Sequence, residues 1–315
     1  DGNGKITFTP EQYDAKRAAF AGIERFGGPA FEYVRTGEDS AHHDDVEEMK
    51  RSLKENRETV DRVSKAIRRE ISATLDDVGI SLKDAYDMGL LGGELLDTGS
   101  TGRETNLPHE MDFDLALKLD LKDQEKIRDI VADLKKRLAP RQDQSHAGDG
   151  GGDLYQLRYM GADLSDAGKA DIDIAFVAKN EMSVYGSHDA VRDRLDWIRD
   201  NLGEAARDDV VGNILVAKKH LKLGEAYKKF EHGGFGGIGV ENWILANGGN
   251  FERAARTFWK AADGGSRSLE EFREHYQIVD PGVNVKFMKH DNFVELLKED
   301  GYRKMLETIQ SYFDL

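Results

Sequence analysis

The sequence predicts an α+β fold class, and three observations support this prediction. Between His43 and Val78, apolar residues recur at helical spacing among charged ones. Two later segments, Asp112–Leu117 and Asp171–Val177, alternate polar and apolar residues as half-buried strands do. After Asn180 the strand signal largely disappears and helical patterns dominate. We therefore expect a first part that contains a sheet and a helical second part.

Length and composition limit the number of domains and the classes of protein to which the chain can belong. The chain has 315 residues, of which 39% are hydrophobic, enough for one or two packed domains. It carries 45 Lys and Arg against 60 Asp and Glu, a net charge of -15. This charge has the wrong sign for a protein that coats nucleic acid non-specifically. Any polyanion must therefore be bound locally.

The absence of cysteine excludes several kinds of site. Without cysteine there is no disulfide, thiolate zinc site, iron–sulfur cluster or cysteine nucleophile. No apolar run approaches the roughly 20 residues that span a bilayer. The first residues have neither the basic start nor the apolar core of a signal peptide. We expect a cytoplasmic protein with no membrane partner, and the oligomeric state stays open.

We divide the chain into three parts. Residues 1–40 form an N-terminal extension without sustained periodicity. Residues 41–180 form a head that begins with a long amphipathic helix, or with two helices separated by a break, and residues 181–315 form the helical domain. The head should also contain a strand near Glu94–Thr98, a short helix from about Thr101, a helix at about Asp123–Leu138 and a strand at Leu154–Met160. Helices or helix starts in the second part are expected at Asp189–Asn201, Val210–Leu223, Gly233–Gly239, Val240–Ala246, Phe251–Ala262 and Asn292–Phe313.

The candidate chemistry rests on aspartates in the alternating strands. Asp112 and Asp114 should share one face of their strand, and Asp173, with Asp171 nearby, lies on the other strand. If these strands are neighbours, the carboxylates converge, and such crowding requires a cation. Clustered carboxylates suit Mg2+, which also binds substrate phosphates. A two-metal site of this kind predicts nucleotidyl transfer.

A triphosphate also needs a binding loop, and Gly99 and Ser100 are candidates for it. Gly99 lets the backbone approach closely, Ser100 offers a hydroxyl, and a helix that starts there directs N–H groups at an anion. Arg103 follows about one turn later. Singly, an Asp-x-Asp or a Gly-Ser is common by chance. Their order along the chain, with a third aspartate on a later strand, is more specific.

This ordered pattern resembles a known signature. The segment GSTGRETNLPHEMDFDLALKLD is similar to that of the polymerase-β-type nucleotidyltransferase superfamily, in which Gly-Ser precedes Asp/Glu-x-Asp and a third, distal Asp. The resemblance implies a catalytic head with a mixed sheet. Within the superfamily, the chain most resembles the archaeal (class I) CCA-adding tRNA nucleotidyltransferases. The likeness covers roughly residues 80–290 and includes VAKKHLKLGEAY and GGFGGIGVENWILANGGNFERAARTFW.

The resemblance assigns roles to individual residues. It implies that Asp112, Asp114 and Asp173 bind the metal, with Asp173 also a candidate to activate the attacking hydroxyl. It makes Gly99, Ser100 and Arg103 phosphate contacts. The implied cofactor is Mg2+ in a two-metal site, for which Mn2+ could substitute, and the substrates are ATP or other NTPs.

Further contacts would come from the helical domain across a cleft. His188 would approach the triphosphate, Lys218 would neutralise its charge, and Tyr227 would contact sugar or phosphate. The alternatives are structural roles for His188 and Tyr227 and a solvated helix face for Lys218 and Lys219. The glycines around Phe235 could admit a primer or nucleotide, or simply form the turn that starts a helix.

Two departures from the CCA-adding family bear on the acceptor. The sequence ends soon after DPGVNVKF, which leaves no room for the family's tail domain, and it lacks the family's basic character. We expect CCA-like addition to an RNA 3′ end. The alternative is a second-messenger synthase of the oligoadenylate or bacterial cyclic-oligonucleotide type, with a second nucleotide as acceptor. A non-catalytic or toxin-type binding protein ranks last because all three aspartates are present.

Overall fold

The charged stretch near the start of the chain folds as one long helix, α1 (His43–Asp77). The computed structural model describes residues 31–77, 96–97, 100–107, 112–119, 155–163, 169–178, 186–227, 233–279 and 292–315. In the strands it describes the backbone and the side chain of Phe113. Five of the apolar positions that predicted α1 are buried: Val46, Met49, Leu53, Val63 and Ile67. The prediction of a helix from about His43 is therefore confirmed.

Within the described residues, four strands pair in one sheet with the order β1-β2-β4-β3. They are β1 (Leu96–Asp97), β2 (Asp112–Leu119), β3 (Tyr155–Asp163) and β4 (Lys169–Ala178). β2 and β4 are parallel, whereas β1 with β2 and β3 with β4 are antiparallel. The register of β3 shifts between Tyr159 and Ala162. The parallel pairing of β2 and β4 is what brings the predicted aspartates to neighbouring strands.

Helices dominate the part of the chain that follows. They are α2 (Gly186–Leu202), α3 (Glu204–Leu223), α4 (Gly237–Ala246), α5 (Phe251–Ala261), α6 (Leu269–His275), a 3-10 helix (Phe293–Leu296) and α7 (Glu299–Phe313). Their core is rich in aromatic side chains: Trp243, Phe251, Phe258, Phe272, Tyr276 and Tyr302 are all buried. The Phe258 and Phe272 rings lie 4.6 Å apart between centroids. Burial of these large apolar surfaces holds α4 to α7 together.

The prediction of an α+β class, a polymerase-β-like head with a mixed sheet plus a helical domain, is wrong as a description of the whole. The described residues are mainly helical. The two alternating segments do form the strands β2 and β4, but strands make up only a small share of the described residues. The strands are 2 to 10 residues long, whereas α1 alone has 35. We therefore class the described part of the chain as predominantly helical.

The helical domain departs from prediction at two places. The helix expected over Asn292–Phe313 is interrupted, because Leu297 is extended and the Lys298 N–H donates to the Gly233 carbonyl at 2.8 Å. Helix α6 was not predicted, although Ser268 and Glu271 form a capping box at its start. The helix predicted at Asp123–Leu138 lies outside the described residues.

The chain divides into two compact units. One contains Glu55–Tyr185 and thus the sheet. The other contains the described residues up to Lys54 together with Gly186–Leu315. In the described ranges, none of the helices is both long and apolar enough to cross a bilayer.

Candidate functional site

Two pairs of aspartates face each other across neighbouring strands. In the parallel register of β2 and β4, Asp112 pairs with Asp171 and Asp114 pairs with Asp173. Registered residues in parallel strands lie on the same face of a sheet, on strands about 4.8 Å apart. We call Asp112, Asp114, Asp171 and Asp173 the aspartate row. The sequence predicted these residues, and the register brings them together.

The buried residue between the two aspartates of β2 shows which face carries the row. Phe113 is fully buried. Because successive residues of a strand lie on opposite faces, Asp112 and Asp114 occupy the face opposite the Phe113 core. On the other side of β4, the antiparallel register pairs Asp173 with Arg158 of β3. Arg158 therefore occupies the same cross-strand position as Asp114 and Asp173, and adds one positive charge to the row.

The donor chemistry of the row fits a hard divalent cation. Four carboxylates and no sulfur or imidazole suit Mg2+. Their mutual repulsion also favours a bound cation. Among the side chains that the structure describes, no group of three or more His, Asp or Glu could hold a metal ion. For the aspartate row the structure describes the backbone alone.

The predicted phosphate loop takes the form of a turn. The Ser100 carbonyl accepts hydrogen bonds from the N–H groups of Arg103 at 3.2 Å and Thr105 at 2.9 Å. Glu104 has a positive φ of 61°. The short helix predicted from Thr101 is therefore wrong, because the chain leaves helical geometry within one turn.

This turn is fixed against α1. Arg57 Nη2 of α1 lies 2.9 Å from Glu104 Oε2, and Asn56 Nδ2 donates to Asn106 Oδ1 at 3.3 Å. Arg103, a predicted phosphate contact, is 2% exposed and has partners. Gly99 lies outside the described residues. These contacts give the Ser100 turn a defined position within its own unit.

Lys218 and Tyr227 come together at the start of α4. A Cβ atom added to Gly237 would lie 3.0 Å from the Tyr227 hydroxyl and 3.7 Å from Lys218 Nζ. The N-cap residue Gly236 has no side chain to cap the N–H groups of the first turn. These groups form the positive end of the helix dipole, which favours anions. Two of the predicted nucleotide contacts therefore meet at one helix start.

Lys218 does not lie on a solvated helix face, so that alternative is wrong. The side chain is almost completely buried, and its Nζ lies 2.6 Å from Oε1 of the fully buried Glu241. Lys219 is only half-buried. We call Lys218, Tyr227, Gly237 and Glu241 the Lys218 cluster. Its lysine charge is compensated by a carboxylate of the following helix.

Glu241 was missed by sequence reasoning. A signal was present, because Glu241 is the single charged residue of the apolar helix α4, GIGVENWILA. A charge in an apolar helical stretch indicates a buried, paired group. The remaining predicted residue, His188, lies in the first turn of α2, where the structure describes the backbone.

No protein-family model and no curated protein matches the chain. The resemblance to the nucleotidyltransferase superfamily therefore stays a prediction, and the geometry of the two residue groups stands by itself.

Proposed function

We propose that the chain is a Mg2+-dependent, template-independent nucleotidyltransferase that transfers a nucleoside monophosphate from an NTP to a hydroxyl group. The observation that supports this most directly is the register that pairs Asp112 with Asp171 and Asp114 with Asp173. Carboxylates of two neighbouring parallel strands, on the face opposite Phe113, are suited to hold Mg2+ next to phosphates. The order along the sequence, in which Ser100 precedes Asp112 and Asp114 and these precede Asp173, supports the same chemistry.

In the proposed reaction, the acceptor hydroxyl oxygen forms a bond to the α-phosphorus of the NTP. The bond between that phosphorus and the bridging oxygen breaks, and pyrophosphate leaves. Asp112, Asp114 and Asp173 would hold the metal, and Asp173 is the candidate to take the hydroxyl proton. Bound Mg2+ would supply neutralisation of phosphate charge and a lowered pKa of the attacking hydroxyl. The Lys218 cluster, with the start of α4, would bind the nucleotide.

The proposed acceptor is an RNA 3′ end, by resemblance to the CCA-adding enzymes. The net charge of -15 favours the second candidate, a synthase that joins nucleotides to one another. RNA binding depends on basic residues that neutralise phosphates, and such a charge works against an extensive RNA interface. A nucleotide acceptor needs only local contacts.

The test is an assay of the purified protein with each labelled NTP, Mg2+, and either tRNA that lacks its 3′ end or no RNA. RNA-dependent extension supports the first acceptor, and small RNA-free products support the second. No release of pyrophosphate from any NTP, with or without RNA, would overturn the proposed function.

A further inference from the structure

We propose that Glu241 is a positioning residue for nucleotide binding, which acts by holding Lys218 at the start of α4. The inference rests on the proposed function, in which Lys218 contacts the nucleotide. It adds a residue that neither the sequence motif nor the resemblance assigned.

The geometry of the pair supports this role. Lys218 lies on α3 and Glu241 on α4, and their charged atoms are 2.6 Å apart. Gly237 and Glu241 are four residues apart in α4, so they lie on the same face of the helix, one turn apart. Lys218 Nζ, bound to Glu241, thus lies beside the first turn of α4, 3.7 Å from the position of a Gly237 Cβ. The carboxylate fixes the lysine beside the first turn of α4, whose N-cap Gly236 provides no side-chain cap.

Stability alone is a weak reason for such a pair. The Lys218 and Glu241 side chains are 3% and 0% exposed, so both charges have lost nearly all contact with water. A buried ion pair costs so much desolvation that hydrophobic residues of similar volume often stabilise a protein equally well. At the same place, the Tyr227 hydroxyl packs so closely on Gly237 that an added Cβ would lie 3.0 Å from it, and 3.7 Å from Lys218 Nζ. A buried charged pair at the start of a helix, where the helix dipole favours anions, indicates a role in binding.

The decisive variant replaces both charges by apolar groups, Lys218→Met together with Glu241→Leu. Because neither partner is left alone, the double variant should fold with a melting temperature close to that of the wild type. Its affinity for a non-hydrolysable ATP analogue, measured by calorimetric titration with Mg2+, should fall about tenfold or more, as expected for loss of a charge-assisted contact. A stable double variant that binds the analogue as the wild type does would show that the pair is merely structural and would overturn the proposal.

A second comparison separates positioning from a direct contact. Glu241→Gln should weaken binding of the analogue, and it should weaken it no further when Lys218→Met is already present. Independent losses from the two substitutions would contradict action through Lys218. The matched control is Glu47→Gln, since Glu47 also lies 2.6 Å from a lysine, Lys50, but on the surface. That variant should bind the analogue unchanged.

The titration also distinguishes this inference from the proposed function. If the wild-type protein binds no ATP, CTP, GTP or UTP analogue, the proposed function fails and Glu241 has no nucleotide to position. If the wild type binds and Glu241→Gln binds equally well, only the role of Glu241 fails.

Discussion

His42 Nε2 lies 2.8 Å from Asn213 Oδ1, and both side chains are completely buried. The same Oδ1 accepts a hydrogen bond from the Phe251 N–H at 2.8 Å, and Asn213 Nδ2 donates to Thr36 Oγ1 and to the Asp209 carbonyl. Because Oδ1 is an acceptor here, His42 must donate from Nε2. One asparagine on α3 thus joins the segment before α1 to the start of α5.

Replacement of Asn213 by Ala should lower the free energy of unfolding by about 2–4 kcal/mol, because buried donors of His42 and Phe251 lose their acceptor. Urea denaturation monitored by circular dichroism would measure the change. The control is Asn201→Ala, since the exposed Asn201 also donates to a backbone carbonyl. That variant should change stability by less than about 0.5 kcal/mol. Equal effects of the two substitutions would contradict the role of the Asn213 network.

Stability should fall as the pH falls below about 6.5. Burial lowers the pKa of His42, against the opposing effects of Asn213 and of Glu252, Asp209 and Asp45. The unfolded chain therefore binds a proton more readily than the folded one, so this contribution is complete above the unfolded pKa and is lost as the pH drops toward the folded pKa. Each such histidine adds at most about 1.4 kcal/mol per pH unit to the slope of the free energy of unfolding against pH.

The histidine responsible can be identified with two variants. His42→Gln keeps a donor for Asn213 but cannot be protonated, so it should reduce the pH dependence of unfolding between pH 7 and 5. Burial also lowers the pKa of His220, which lies 3.6 Å from Asp45. His220→Gln should reduce the pH dependence of unfolding by a separate amount. A His42→Gln protein with the full wild-type slope would rule out His42 as a source.

Asp114→Asn should abolish nucleotidyl transfer and weaken Mn2+ binding, measured by electron paramagnetic resonance without nucleotide. The reason is that Asp114 and its registered partner Asp173 would share the metal. Activity should fall at least about a hundredfold, which corresponds to an increase of about 2.7 kcal/mol in the barrier. Asp61→Asn is the control, because Asp61 forms an exposed ion pair with Lys65 on α1 and is not part of the aspartate row. Full activity of Asp114→Asn would contradict the proposal that Asp114 binds a catalytic metal ion.

Gly234→Ala should destabilise the protein by about 1–3 kcal/mol, since its Cβ would lie 1.7 Å from the Ala226 carbonyl oxygen and the backbone would have to move. Ala226 precedes Tyr227, so nucleotide affinity should fall as well. Gly236→Ala is the matched control: its Cβ would meet nothing within 4 Å and its φ is -79°. Thermal unfolding compares the two, and an equally stable Gly234→Ala would contradict the close contact.

Local patterns predicted individual elements better than the fold class. Apolar spacing predicted α1 to within a few residues, because burial of Val46, Leu53 and Ile67 along one stripe requires a helix. The break before α7 could not be predicted from apolar spacing. It depends on the hydrogen bond from Lys298 to Gly233, whose partners are far apart in sequence.

The candidate site also depends on contacts between residues that are far apart in sequence, which local patterns do not predict. Alternation suggested that Asp112 and Asp114 share a face, but only the strand register pairs Asp114 with Asp173. Sequence spacing left Lys218 open between a phosphate contact and a solvated lysine. Lys218 is in fact buried, and its charge is paired with Glu241 on another helix, a partner that no local pattern specifies.

The contact between α7 and the turn at Gly233, which leads into α4, limits how far the protein can be truncated at its C-terminal end. A Cβ at Gly301 would lie 2.1 Å from the Gly233 carbonyl oxygen, so the first turn of α7 packs directly on the turn that leads into α4. Deletion of the residues after Leu297 would remove the donor for Gly233 and also Tyr302, whose ring lies 4.8 Å from that of Phe272. A fragment made to isolate the Lys218 cluster for crystallisation or ligand screening must therefore retain the last helix through Phe313.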